Sequence, residues 1–270
     1  MNCLPTRIVP CKNPQEIKQI KAMKKTQKEN RIISVPESKY TVLITGANRG
    51  LGLAMTEHLL LKGQQVVVII RHTNEALQNL QDKYSDALSV FYADVTDEAA
   101  IKNTFAAISD RVKHIDILIN NAAVHLDPER LPLEQVDFSV YPLTFLVNSV
   151  APLIVIKYAL PLVRKGQKKL IVNISSEAGS ITNAWRKSEY AYCMSKTALN
   201  MASRILQNDL HNEGIKVLAV HPGWFSSDMG GKAAPITPAA AAEQVVSLLM
   251  KSFDLKDPIY FGPAGETMPW

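Results

Sequence analysis

The chain has 270 residues, 47% of them apolar and 20% charged, with 12 Gly, 15 Pro and a formal net charge of +5. That composition excludes a disordered, collagen-like or low-complexity protein, and the length suffices for a sizeable core. Three cysteines (Cys3, Cys11 and Cys193) are too few for a disulfide framework and odd in number, which points to a reducing compartment, the cytoplasm.

The charge is unevenly placed. Residues 1–39 carry nine Lys or Arg and three acids, so this basic N-terminal extension holds +6 while the other 231 residues sum to −1. A body so close to neutral argues against nucleic acid as its partner. Asn13-Pro14-Gln15-Glu16 reads as a helix start, with Asn as N-cap, Pro at the first helical position and Glu at the third. Ile17, Ile20 and Met23 make only a thin apolar stripe behind it. A solvated or loosely docked helix is the simpler reading, and an arm for an acidic partner the sharper one. The acids and the excess of Lys over Arg argue against a mitochondrial presequence. No run of 18 apolar residues predicts a membrane span, and the N-terminus lacks the apolar core of a secretory signal.

From Tyr40 onward apolar bursts alternate with amphipathic stretches. The bursts are Tyr40–Thr45, Gln65–Ile70, Leu88–Tyr92, Ile115–Asn120, Leu170–Ile174, Lys216–Val220 and Pro258–Phe261. Several are nearly continuous Val, Ile and Leu, as strands buried on both faces are. Helical segments such as Glu98–Arg111, Tyr192–His211 and Pro238–Lys251 lie between them. The pattern predicts a single α/β domain over residues 40–270, a doubly wound, mostly seven-stranded parallel sheet of Rossmann type with helices on both faces. Residues 138–162 read as a helix kinked or offset by Pro142, Pro152 and Pro161.

The first strand runs into Thr45-Gly46-Ala47-Asn48-Arg49-Gly50-Leu51-Gly52, followed by a helix over Leu53–Lys62 that Gly63 closes. Gly46 suits a tight turn, Gly50 a close approach of backbone to a pyrophosphate, and Gly52 close packing of helix on sheet. The helix N-terminus offers free N–H groups and positive potential to phosphates. No G-x-x-x-x-G-K-[ST] occurs, so nucleoside triphosphatase chemistry is unsupported. The second strand ends at Arg71, where a cofactor with a free ribose 2′-hydroxyl would meet an acid. Arg71 and Arg49 together suit a 2′-phosphate, which favours NADP(H) over NAD(H). After the third strand, Asp94-Val95 is placed to hold the adenine edge.

After the fifth strand come Ser175-Ser176-Glu177, and sixteen residues past Ser176 stands Tyr192 with Lys196 four places on. Residues i and i+4 share a helix face. A phenol with pKa near ~10 is a poor base, and an adjacent ammonium favours the phenolate; reaching ~7 asks for about 4 kcal/mol. Glu177 reads as structural, since neighbours on an extended chain point apart. Tyr190 reads as packing or substrate contact. His72, His114 and His211 lack metal-ligand spacing, so no metal is expected.

These residues resemble the short-chain dehydrogenase/reductase family over about Tyr40 to the C-terminus. Thr45–Gly52 is similar to its T-G-x-x-x-G-x-G, Asp94 to its adenine-binding acid, and Asn120-Asn121-Ala122-Ala123 to its N-N-A-G with Ala123 for Gly. Ser176, Tyr192 and Lys196 resemble its catalytic triad, Asn148 its fourth catalytic position, and His221-Pro222-Gly223 its P-G turn near the nicotinamide. The C-terminal part is similar to sniffer-type carbonyl reductases and C-factor-like proteins. The resemblance implies an NADPH-dependent reductase of a ketone, aldehyde or quinone. Tyr192 would give the proton, Ser176 orient the carbonyl oxygen, Lys196 hold the ribose and tune Tyr192, and Asn148 with a water reload the phenol.

Trp185, Trp224, Phe225, Met229 and Trp270 are candidates for an apolar substrate wall, with Trp224–Thr237 read as a mobile lid. The family resemblance implies a homodimer or homotetramer joined through the apolar segment 138–163 and the Tyr192 helix. Two alternatives stand beside the reductase: an alcohol dehydrogenase working in the oxidative direction, and a cofactor-binding signalling protein without turnover.

Overall fold

Val42, Leu43 and Ile44 are wholly buried, and they alternate between two separate apolar clusters. A strand with two apolar faces needs cover on both, so helices must flank the sheet on each side. The computed structural model describes residues 39–127 and 131–270. The helix start at Asn13 and the basic extension through residue 38 lie outside the described residues.

The chain runs β1 (Thr41–Thr45), α1 (Gly50–Leu61), β2 (Gln65–Ile70), α2 (Glu75–Lys83), β3 (Leu88–Tyr92), α3 (Glu98–Arg111) and β4 (Ile117–Asn120). After two short 3₁₀ turns follow α4 (Tyr141–Phe145), a π turn (Leu146–Val150) and α5 (Ala151–Val163). Then come β5 (Leu170–Ile174), α6 (Tyr190–Leu210), β6 (Lys216–Val220), α7 (Pro238–Met250) and β7 (Tyr260–Phe261). All seven strands are parallel, in the order β3-β2-β1-β4-β5-β6-β7. This is the expected Rossmann-type sheet. Its order reverses between β1 and β4, which opens a crevice at the carboxyl ends of the strands there.

One face is covered by α1 and α7, whose Met55, Leu59, Ala241 and Val245 pack with Val42 and Ile44. The other is covered by α3 and α5, whose Ile101, Phe105, Val155 and Ala159 pack with Leu43 and Leu118. The run Phe138–Val163 is long and apolar enough to cross a membrane by those measures alone, yet more than half of its most apolar 18-residue stretch is buried in the fold.

Several boundaries differ from the sequence reading. The first helix begins at Gly50 rather than Leu53, because the glycine turn itself supplies its first turn. Helix α2 was not anticipated: only Leu77 and Leu80 are buried, too few to make a visible stripe, although Asn74 caps it by accepting from the Leu77 N–H at 3.0 Å. The 138–162 segment is one continuous helical run, as expected, whose offset is the π turn between α4 and α5, with a 3₁₀ turn at its start. The strands of the first, fourth and seventh bursts start later, at Thr41, Ile117 and Tyr260.

Asp116 ties the strand entries together. Its buried carboxylate accepts from the Thr41 N–H at 2.8 Å and the Gln167 N–H at 2.7 Å, with His114 Nε2 at 3.1 Å. Asp116→Ala strands the buried Thr41 N–H, and we expect it to lower stability by about 2 kcal/mol in urea unfolding. An unchanged midpoint would refute that role.

Candidate active site

The glycine turn is built by steric necessity. Gly46 has φ +69°, and a Cβ there would come within 2.8 Å of Ala122 Cα. A Cβ on Gly52 would meet the Gly46 carbonyl oxygen at 2.3 Å and Asn121 Nδ2 at 2.5 Å. Asn121 locks the turn, its Nδ2 donating to the carbonyls of Thr45 and Gly46, both at 3.0 Å. Gly50 has φ +54° and open space where its side chain would be. The turn is therefore tight on its protein side and bare on its outer side, a fit for a phosphate-bearing cofactor.

A cleft of about 770 Å³ opens here. It is lined by Gly46, Asn48, Arg49, Gly50, Leu51, Gly52, Arg71, Asp94, Val95, Asn121 and Ala122, and across the strand ends by Ser176, Tyr192, Lys196, Pro222 and Gly223. Every anticipated catalytic and cofactor-binding residue except Asn148 lines this one cleft. Arg49 pairs with Asp228 from the 224–237 loop, and Arg71 Nη1 lies 3.7 Å from Asp94 Oδ2. Burial pushes Asp94 up, but its hydrogen bonds from Thr96 and the charge of Arg71 outweigh this and hold it below its ordinary value.

Asn148 lies behind the cleft wall, buried within the π turn. Its Nδ2 donates to the Val124 carbonyl (2.8 Å) and Ser195 Oγ (3.0 Å), and its Oδ1 accepts from the Val124 N–H (2.8 Å). The side chain holds the 121–125 strand exit against α6.

Lys196 is buried, and its Nζ donates to the Ile174 carbonyl at 2.8 Å. It also lies 5.7 Å from the centre of the Tyr192 ring. Burial pushes the ammonium down to about 8, so it is mostly charged at neutral pH. Tyr192 is pushed up to about 12 by burial, with the neighbouring Ser176 hydroxyl working against the rise and Glu177 adding to it. This reverses the expected lowering of the phenol in the chain by itself. Desolvation of the hydroxyl exceeds the help of an ammonium already committed to a main-chain carbonyl. A phenol in this state is a proton donor rather than a base.

The sequence reading missed a charged ring at the substrate end. Ser176 is extended, and the 3₁₀ turn starting at Glu177 folds the carboxylate back, so Ser176 Oγ donates to Glu177 Oε2 at 2.7 Å. The divergence expected of adjacent residues fails because the chain stops being extended between them. Arg186 donates to Glu177 Oε1 at 2.6 Å and to Glu189 Oε2 at 2.7 Å. Burial would raise Glu177, but these hydrogen bonds outweigh it and leave the carboxyl below its ordinary value. Glu189 stands in the left-handed region (φ 63°) just before α6. Asp127 accepts from the N–H groups of Ala191 and Tyr192 at 3.2 and 3.0 Å, capping α6 from 65 residues away in sequence. His125 packs on the Tyr192 ring at 4.5 Å. None of these had a local signal.

Trp185, Trp224, Phe225 and Met229 line the cleft, whereas Trp270 does not. Trp270 stacks on Tyr260 at 5.1 Å and accepts the Thr182 N–H through its carbonyl. Tyr260 in turn donates to the Ser176 carbonyl at 2.6 Å. The terminal segment thus braces the site from behind. Tyr190 is also off the cleft wall.

The profile of the short chain dehydrogenase family matches residues 40–236. The chain belongs to that family. C-signal of Myxococcus xanthus is 35% identical over 160 residues, 58% of this chain and 93% of that protein. Estradiol 17-beta-dehydrogenase 2 of Mus musculus is 32% identical over 203 residues, 73% of this chain, which spans only 51% of that relative's length. Among solved structures, the carbonyl reductase Sniffer of D. melanogaster superposes with TM-score 0.81 at 29% identity, covering 86% of this chain and all of that one. The NADPH-bound carbonyl reductase from chicken fatty liver gives 0.78 at 30%, covering 86% and 94%. This family member is an oxidoreductase with carbonyl reductase-like neighbours, and its subgroup resemblance is the one anticipated.

The glycine geometry is directly testable. Gly52→Ala forces the Gly46 carbonyl and Asn121 amide apart, and we expect at least about a tenfold weaker NADPH affinity, measured by Trp fluorescence quenching. Unaltered affinity would show that the turn does not shape a cofactor site.

Proposed function

We propose that this family member is an NADP(H)-dependent carbonyl reductase acting on a ketone, aldehyde or quinone. The observation that carries this reading is that Tyr192 shares one cleft wall with Ser176, Lys196 and the glycine turn. Reduction of a carbonyl generates an alkoxide, which needs an acid beside it, and Tyr192 stands at the site in its acidic form. Bound NADPH supplies the hydride. Gly46–Gly52 and Asn121 would hold its phosphates, and Asp94 and Val95 the adenine. Arg49 and Arg71 would hold the 2′-phosphate, Pro222 and Gly223 the nicotinamide side, and Lys196 the ribose.

Tyr192 gives its proton to the forming alkoxide, and Ser176 orients that oxygen. Lys196 keeps positive charge close to the phenolate that this leaves. Asn148, through its grip on Val124 and Ser195, positions the wall through which a water reloads Tyr192. The NADPH-bound state of the chicken carbonyl reductase supports the choice of cofactor. A second reading, a cofactor-binding signalling protein without turnover, rests on the likeness to C-signal.

We also assign the working state as a homodimer or homotetramer in the cytoplasm. Leu143, Val150 and Leu153 from α4 to α5 and Met194, Met201 and Ile205 from α6 are exposed on adjoining helices, an apolar surface suited to a second copy.

Tyr192→Phe is expected to lower kcat for carbonyl reduction by about 10²-fold or more while NADPH affinity changes little. Retained turnover would sink the acid role, and absence of turnover in the unaltered protein would favour the signalling reading. Arg71→Ala is expected to weaken NADPH binding by about tenfold and leave NADH binding nearly unchanged. Equal losses for both cofactors would remove the 2′-phosphate argument.

A further inference from the structure

The hydroxyl hydrogen of Ser176 is already spent. It is donated to Glu177 Oε2, so in this arrangement Ser176 has no proton left for a substrate carbonyl. Glu177 is held in place from its other oxygen by Arg186, which Glu189 holds in turn. His221 Nδ1 lies 3.5 Å from the same Glu177 Oε2, buried and, among the described residues, without a hydrogen-bond partner. His125 Nε2 is likewise buried without a partner, 3.8 Å from Asp127 Oδ2 and 3.9 Å from Glu189 Oε1. Burial holds His221 below its ordinary pKa, against the charge of Glu177. The substrate end therefore gathers carboxylate oxygens and unpartnered imidazole nitrogens around one guanidinium that is already paired twice. Its acceptor oxygens are those of the carboxylates, while each neutral imidazole adds one N–H donor and one acceptor.

Resting on the reductase reading above, we propose that the preferred substrate is a carbonyl compound with a hydrogen-bond donor, a hydroxyl or an ammonium, on the carbon next to the carbonyl. That donor engages Glu177 Oε2 in place of Ser176. Ser176 Oγ then turns its freed hydrogen to the substrate oxygen, while Tyr192 supplies the proton. The adjacent carbon is the favoured position because Ser176 Oγ and Glu177 Oε2 are only 2.7 Å apart, so the two substrate groups that engage them must also be neighbours. A carbonyl without a donor must break the Ser176–Glu177 bond uncompensated. A carboxylate there meets Glu177 as a like charge. The apolar body of such a substrate lies against Trp185 and Trp224.

The test compares acetophenone, 2-hydroxyacetophenone, 2-aminoacetophenone and phenylglyoxylate with NADPH, in the unaltered protein, Glu177→Ala and Glu177→Gln. We expect the hydroxy and amino ketones to exceed acetophenone in kcat/KM by about tenfold or more, mostly in kcat, with phenylglyoxylate slowest. Glu177→Ala should bring the hydroxy-to-unsubstituted ratio to near one. Glu177→Gln should keep part of the hydroxyl preference and lose the ammonium preference, which separates the two donors. NADPH affinity, read by fluorescence, reports whether each variant is folded with its cofactor site intact. If the unaltered protein reduces all four ketones at similar rates, or if Glu177→Ala keeps the preference, this proposal fails and the reductase reading stands. If NADPH binds and no ketone is reduced, both fail.

Discussion

Lys196 carries a charge into the interior and must find something there to hold it. It donates to the carbonyl of Ile174, the last residue of β5, and this one bond pins the start of α6 to the end of the central sheet. A buried ammonium costs several kcal/mol unless it is hydrogen-bonded, so helix and strand end are held in one register. The polar pairs below it continue the seam. Ser175 Oγ donates to Asn200 Oδ1, Asn173 Nδ2 to Ser203 Oγ, and Asn120 Nδ2 to Asn173 Oδ1. An apolar seam could slip by a turn. This one has partners at named positions, and Tyr192 and Ser176 inherit their proximity from it.

The cofactor side depends on close approach rather than on charge. The chain brings Gly46, Gly52 and Asn121 together so tightly that no side chain fits between them. The guanidinium groups above that turn are held by carboxylates of the same chain, Asp228 and Asp94. Such exposed pairs are weak and are readily exchanged for a phosphate, which carries more charge and offers more acceptor oxygens. Asp228 lies in the 224–237 loop, so the pair with Arg49 also joins the loop to the glycine turn across the cleft.

The substrate side is organised by acceptors. Glu177 and Glu189 from the connection between β5 and α6, and Asp127 from the connection after β4, meet around Ser176, Arg186 and the head of α6. Burial, with Glu177 adding to it, leaves Tyr192 in an environment that disfavours a phenolate. Raised in this way, the Tyr192 hydroxyl holds its proton at neutral pH and is a weaker acid than a solvated phenol. The cofactor and substrate ends thus differ in kind, one shaped by the absence of side chains and the other by the acceptor oxygens of its carboxylates.

The strand bursts, the glycine turn and the Tyr192–Lys196 spacing were legible in the amino-acid sequence because each is set by near neighbours. A strand buried on both faces must be apolar throughout, a tight turn must contain glycine, and two residues four apart on a helix share a face. Those local constraints determined the fold and the identity of the residues along the cleft. The sequence was silent where partners are distant or where the chain bends out of its regular path. Asp127 caps α6 from 65 positions away, Asp228 reaches Arg49 across 179, and Tyr260 braces Ser176 across 84. Glu177 was misread because a 3₁₀ turn, not an extended strand, follows Ser176. The Tyr192 pKa is raised where the sequence predicts a lowering, because desolvation is a property of the assembled interior. Tertiary structure alone decided these points, since hydrogen-bond partners and burial arise only when separate segments are packed together.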